Sequence, residues 1–167
     1  MQPTYEDIQV YKTCTEAGMT DDFARCMIGQ ARNESGNWQS QFYLDDNNPF
    51  GMNYSPNNPF AVPSQTHFNN EGARPVPYAH YNTLGDAIGA QILFFQNGTV
   101  SHYDINQMQD PAGYCNQLWE KGYFTGNLGT LRDYESIVDS YYTRFNQPDF
   151  WAGVVAELSK PTPVGGG

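Results

Sequence analysis

Apolar residues return at helical spacing along most of the chain, and one long stretch in the middle breaks the rhythm. Ile8, Tyr11 and Cys14 predict a first helix over about 5 to 17, opened by Thr4 with Asp7 three residues on and stopped by Gly18. Phe23, Met27 and Ala31 form one stripe of a second helix that Thr20 can cap. Leu84, Ala87, Ile88, Ile92 and Phe95 mark a helix over 84 to 96, and Asp110-Pro111 opens another with Tyr114, Leu118 and Trp119 inward. Leu131, Tyr134, Ile137, Val138, Tyr141 and Phe145 predict a longer helix over 131 to 145, and Trp151, Val154, Val155 and Leu158 a last one after Asp149. Thr83 with Asp86 and Thr130 with Asp133 repeat the Thr-x-x-Asp opening signal.

Between 39 and 80 Asn, Pro, Gly and Ser are dense, and no helix of useful length fits. "AVPSQTHF" (61–68) and "ARPVPYAHY" (73–81) read as two short strands joined by "NNEG", with Gly72 suited to the turn. Pro63, Pro75 and Pro77 keep such strands short or at an edge. The expected fold class is therefore mainly α (α+β). One domain is expected over 1–160, with a small loop and hairpin lobe at 39–80 and a disordered tail at 161–167.

Composition narrows what such a domain does. Twelve Tyr and ten Phe bring aromatics to 15%, a supply of rings for an amphipathic groove as well as a core. A formal charge of −10 and the lack of any Lys/Arg cluster argue against nucleic acid and anionic membrane as partners. No stretch approaches a membrane span, and "MQPTYEDIQV" lacks the basic start and apolar run of a signal peptide. Cys14, Cys26 and Cys115 lie far apart and read as buried thiols, with one disulfide plus a free thiol as the alternative. His67, His80 and His102 show no ligand spacing, so neither metal nor cofactor is expected.

The most informative single residue is Glu34. It follows Ala31 by three residues, Met27 by seven and Phe23 by eleven, so its carboxyl falls on or beside the core-facing stripe of the second helix. A charge there is costly unless something uses it. Partial burial raises a carboxyl pKa, and a carboxyl that keeps its proton near neutral pH is what a glycosidase needs to protonate a departing sugar oxygen. Spacing alone leaves open a salt-bridged or solvated helix-end glutamate. Ser35 and Gly36 are small enough to end the helix without blocking access. Trp38 stands where it can wall the acid or stack on a sugar, and Pro49 and Gly51 force a turn that folds Phe50 back beneath the glutamate.

Four motifs occur in order: "ESGNW" (34–38), "NNPFGM" (47–52), "YAHYNTLGDAI" (78–88) and "LWEKGYFTGN" (118–127). Together they make residues 20 to 145 resemble the wall-lytic N-acetylglucosaminidases of glycoside hydrolase family 73, the flagellar-rod and autolysin type. The resemblance implies a lysozyme-like fold that cleaves the β-1,4 glycan of peptidoglycan after N-acetylglucosamine, with Glu34 as general acid. It implies a second carboxylate in the hairpin lobe, matched by Glu71 of "FNNEGARPVPY", to activate water; Asp45 and Asp46 compete for that role. Tyr123 matches a cleft tyrosine near the cleaved bond, and Trp38, Asn48, Phe50, Tyr78 and Tyr81 fall on the substrate side. Gly126-Asn127 departs from the family's Asp-Pro.

Two enzymatic rivals share the fold, a lytic transglycosylase and a muramidase. The former follows its glutamate with a Gly-Leu-Met-Gln type motif where this chain has Pro-Phe-Gly-Met. A wall-binding or virion structural module is the non-enzymatic alternative. An acidic chain is not drawn to an anionic wall by Coulomb attraction. Delivery by a phage tail, a secretion or flagellar assembly, or release at lysis is therefore expected.

Overall fold

One helix, α2 (Asp21–Glu34), is buried on nearly every face, and the other elements are arranged around it. The computed structural model describes residues 2–71, 74–97 and 102–161. Before α2 comes α1 (Tyr5–Glu16); after it come α3 (Gln41–Asp46), β1 (His67–Glu71), β2 (Arg74–Tyr78), α4 (Leu84–Asn97), α5 (Pro111–Glu120), α6 (Leu128–Arg144) and α7 (Pro148–Leu158). The fold is mainly helical, with a single two-stranded sheet among the described residues.

Helix openings follow the side-chain signals closely. Thr4 and Asp7 form a complete capping box on α1, with reciprocal bonds of 3.3 and 2.9 Å. Thr20 accepts from Phe23 N–H at 3.1 Å and Asp110 from Gly113 N–H at 2.7 Å. The Thr130–Asp133 signal is corrected: Asn127 caps α6, accepting from Thr130 N–H at 3.0 Å, so the helix begins three residues earlier than expected. Asn is as strong a cap as Thr, and it comes first along the chain. α3 is a second difference. Ser40 caps it at 3.2 Å and Asn47, at φ 51°, ends it, so two good caps make a helix of six residues within the stretch that reads as loop.

α2 is enclosed because α1, α5 and α6 all pack on it. Gly29 lets α6 come close: a Cβ there would lie 2.9 Å from Val138 Cα. The core runs from Val10 and Cys14 through Phe23, Met27 and Ile28 to Phe95, Leu118 and Phe145. Cys14, Cys26 and Cys115 are free and buried within it, and burial pushes their thiols up, Cys115 to about 12.

The hairpin pairs β1 with β2 antiparallel, with Phe68 opposite Pro77 and Glu71 opposite Arg74. Its first strand starts later than the sequence pattern indicates. Residues 61–66 make an isolated bridge and a short 3₁₀ turn, and Asn69–Glu71, expected as turn, belong to the strand. Both strands are edges, so Pro75 and Pro77 remove no interior ladder bond. The turn expected at Gly72 and the tail beyond residue 161 lie outside the described residues.

Backbone bonds fasten the hairpin to the loop that follows α3, Tyr54 N–H to Pro77 O at 3.0 Å and Ala79 N–H to Met52 O at 2.9 Å. A small second core of Ala61, Ala79, Tyr81, Ala87 and Ala90 sits beneath this seam, with Met52, Tyr54 and Phe60 packed on it. Among the described residues no helix is long and apolar enough to cross a membrane.

Candidate active site

Glu34 is the last residue of α2, where the helix stops with a Schellman arrangement. Asn37 N–H bonds Arg32 O at 2.8 Å, and Gly36 takes φ 57°. The chain does not leave that conformation at once. Asn37 (φ 57°) and Trp38 (φ 67°) are also left-handed, a geometry that Asn tolerates and that costs a residue such as Trp about 1–2 kcal/mol. Ser35 holds the turn from inside: its Oγ accepts from Trp38 N–H at 2.9 Å and its carbonyl from Gln39 and Ser40 N–H at 2.9 and 2.8 Å.

The Glu34 carboxyl opens on a cleft of about 790 Å³ between the loop 50–58 and helix α4, with Gly122 and Tyr123 closing one side. Tyr123 donates its hydroxyl to Glu34 Oε2 at 3.2 Å and accepts from Gln91 Nε2 at 3.2 Å. Tyr114 donates to Gln30 Oε1, which leaves the buried amide NH₂ of Gln30, one turn before Glu34, outside hydrogen-bond geometry with any acceptor among the described residues. Burial raises Glu34 from 4.5 to about 8, and Tyr123, Gln30 and Tyr134, which favour the ionised form, offset only part of that. Burial and then the Glu34 charge push the Tyr123 and Tyr134 hydroxyls well above 10, so both remain proton donors. The arrangement is a carboxylic acid that keeps its proton at neutral pH, next to donors ready for the anion left when the proton is given up.

The structure brings Glu34, Phe50 and Tyr123 to this one cleft. Trp38 is corrected. Its indole is 4% exposed, packs on Tyr43 with ring centres 5.3 Å apart, and donates to Asp7 Oδ1 at 3.4 Å on the α1 side. The left-handed turn carries it away from the carboxyl. Asn48 is corrected too: it is fully buried, its Nδ2 bonds Met52 O at 3.0 Å and Ala79 O at 2.9 Å, and its Oδ1 accepts from Met52 N–H at 2.9 Å. It ties the loop to the hairpin seam and has no polar atom left for a sugar. Tyr78 stacks on Phe42 at 4.3 Å, and Tyr81 supports the cleft wall from behind, accepting from Asn58 Nδ2 at 3.0 Å.

Asp45 and Asp46 serve the loop: Asp45 accepts from Gln41 Nε2 at 2.6 Å, and Asp46 meets His80 Nδ1 at 2.9 Å. Glu71 ends β1 at the hairpin tip, and its side chain lies outside the described residues. Among the described residues, no three His, Cys, Asp or Glu side chains gather as a metal ion would require.

Gln30, Gln91 and Phe94 belong to the site without having been singled out from the sequence. Gln30 lies one turn before Glu34 on the same helix face, and Gln91 is a polar residue on the apolar stripe of α4 between Ile88 and Ile92. Both signals were available. Phe94 is a large apolar side chain 39% exposed, and it lines the cleft with its ring 6.2 Å from that of Tyr123.

The sequence family described as mannosyl-glycoprotein endo-β-N-acetylglucosaminidase, the glucosaminidase domain, matches residues 13–147. Among curated proteins, none matches the chain. Three solved structures share the fold at low identity. The catalytic domain of the autolysin Auto from Listeria monocytogenes aligns with TM-score 0.59 and 16% identity over 87% of each chain. A peptidoglycan hydrolase from Sphingomonas sp. A1 gives 0.55 and 16% over 93% of each. A chain of a type VI secretion system effector-immunity complex from Pseudomonas protegens gives 0.50 and 19%, over 84% of this chain and 96% of that one.

Proposed function

This chain belongs to the glucosaminidase family of endo-β-N-acetylglucosaminidases, and from that membership we propose that it hydrolyses the β-1,4 glycan of peptidoglycan at N-acetylglucosamine, with Glu34 as general acid. The carrying observation is the Glu34 carboxyl, raised to about 8 by burial at the edge of an open cleft. The family description names mannosyl-glycoprotein as substrate. Peptidoglycan is favoured here by the likeness to a peptidoglycan hydrolase and an autolysin catalytic domain.

In this reading a glycan strand lies along the cleft with a glycosidic oxygen at Glu34. The acid gives its proton to that oxygen as the bond to the anomeric carbon breaks, and the oxocarbenium-like sugar is captured by water. The new carboxylate takes the hydrogen bond that Tyr123 already directs at Oε2. Gln91 fixes that hydroxyl by donating to it, so the Tyr123 proton points to Glu34. Glu71, at the hairpin tip, is proposed as the base for the water, which requires roughly 6.5–9.5 Å between the two carboxyls in the working state. Proposed delivery is through a secretion assembly, supported by the fold likeness to the effector-immunity chain and by a charge of −10, which gives no Coulomb attraction to an anionic wall.

Release of reducing ends from purified peptidoglycan tests both roles. Glu34→Gln should abolish release and Glu71→Gln should cut it at least 100-fold. Full activity in Glu34→Gln would overturn the reading. Full activity in Glu71→Gln would remove Glu71 alone and leave displacement of the leaving group to the substrate's acetamido oxygen, water then opening the oxazolinium with the Glu34 carboxylate taking its proton.

A further inference from the structure

We propose that Asp7, on α1 and outside the cleft, is a positioning residue for Glu34, acting through Arg32 and Trp38 on the left-handed turn that follows the acid. The inference rests on Glu34 being the general acid. Asp7 is fully buried and makes a two-pronged contact with Arg32, Oδ1 to Nε at 2.7 Å and Oδ2 to Nη2 at 2.5 Å. The same Oδ1 accepts from the Trp38 indole at 3.4 Å, and Oδ2 from Thr4 N–H at 2.9 Å. One carboxylate therefore grips α2 two residues before Glu34 and the chain four residues after it.

A fork of this kind suits guanidinium, which presents paired donors in a fixed plane and loses little freedom on binding. Arg32 also lies over the Tyr141 ring, 5.0 Å from its centre, and Tyr141 donates to Asn37 Oδ1 at 2.7 Å. The turn 36–38 is thus clamped from α1 and from α6. Two residues along a helix turn its axis by about 200°. Arg32 pulled toward α1 therefore fixes the rotation of the last turn, and with it the direction of Glu34 on the opposite side.

Stopping the helix needs only Gly36 in the left-handed conformation. Asn37 tolerates the same conformation, but Trp38 holds it against its own preference, and strained backbone of this sort persists where the surroundings over-determine it. What the clamp adds is a terminal helical turn that does not fray, although its final side chain faces an open cleft. The contribution is geometric: Arg32 and Asp7 neutralise each other, and no charge on Glu34's immediate neighbours comes from them.

The test compares wild type, Asp7→Asn and Trp38→Phe, with Asp110→Ala as a control that removes a cap from α5, remote from the turn. Asp7→Asn should lower kcat at least 10-fold with KM within 2-fold. Its alkaline limb in kcat/KM should move to lower pH, because a loosened Glu34 becomes better hydrated and ionises earlier. Trp38→Phe keeps an aromatic ring but loses the N–H and part of the indole, and should move both quantities the same way to a smaller extent. Asp110→Ala should lower Tm and leave the limb in place. If the Asp7 and Trp38 variants lose thermal stability but keep kcat and the limb of wild type, the clamp is merely structural and the inference fails. Should Asp7→Asn not fold, Trp38→Phe decides. Inactive Glu34→Gln with unaffected clamp variants would sink this inference alone; active Glu34→Gln would sink the reading beneath it.

Discussion

Replacing Glu34 by Gln should stabilise this protein, by an amount that grows with pH. Burial lifts the Glu34 carboxyl from 4.5 to about 8, so between those values the native state holds a proton that the unfolded chain has already released. With more protons bound in the native state, stability falls as pH rises through that window and levels off above it. At about 1.4 kcal/mol for each tenfold change, the whole gap corresponds to about 5 kcal/mol. The carboxyl opens on the cleft, where water relieves part of the cost, and we expect about 2–3 kcal/mol to be measured. Gln has the shape of the protonated acid and does not ionise. Variant and wild type should therefore unfold at nearly the same urea midpoint near pH 4, then separate with rising pH until Glu34 has ionised in the native state, and run parallel above that. For a chain of this length the separation corresponds to a Tm rise of roughly 5–10 °C. A gap that is independent of pH, or a variant less stable than wild type at about pH 9, would refute the claim that burial holds Glu34 protonated.

Three further outcomes follow from the same geometry. Tyr123→Phe removes a donor to the ionised carboxyl; kcat should fall about 10–100-fold, and the alkaline limb of the pH–rate profile should move to higher pH. Phe94→Ala should raise KM on polymeric glycan about 5–10-fold, the loss of one stacking face worth about 1–1.5 kcal/mol, and change kcat little. Since Phe94 is 39% exposed, its thermal melt should stay close to that of wild type. Asn48→Ala should cost about 2–3 kcal/mol in urea unfolding, because it strands Met52 N–H and the Ala79 carbonyl at the loop–hairpin seam, while Met52 O keeps its bond from Ala79 N–H; loss of affinity without loss of stability would return Asn48 to the substrate side.

The helices were legible because their signals are local. Thr4 with Asp7, Thr20, Asp110-Pro111 and the apolar returns each act within one or two turns. Glu34 was legible for the same reason, as a carboxyl beside an apolar stripe. What escaped depends on direction after a break in regular structure. Trp38 is one helical turn from Glu34 by count, but three consecutive left-handed residues carry it to the far side, and no periodicity describes that path. Asn48 carries no mark that its amide is spent on Met52 and Ala79, the second of which is 31 residues on. The first strand begins at His67 because Pro63 opens a 3₁₀ turn over Pro63–Gln65, so of residues 61–66 only Ala61 bridges to Tyr81 and the ladder starts with His67 opposite Tyr78. Gln30 and Gln91 were readable as polar residues on helix faces that otherwise point inward; Gln91 holds the Tyr123 hydroxyl, and Gln30 accepts from Tyr114 one turn before the acid.

Mass spectrometry of the sugar ends that the purified protein releases from peptidoglycan tests the central claim most directly, because it identifies the bond that is broken. The account predicts reducing N-acetylglucosamine ends from wild type and none from Glu34→Gln. Anhydro-muramic or reducing muramic ends would contradict it and assign the same cleft to a transglycosylase or a muramidase.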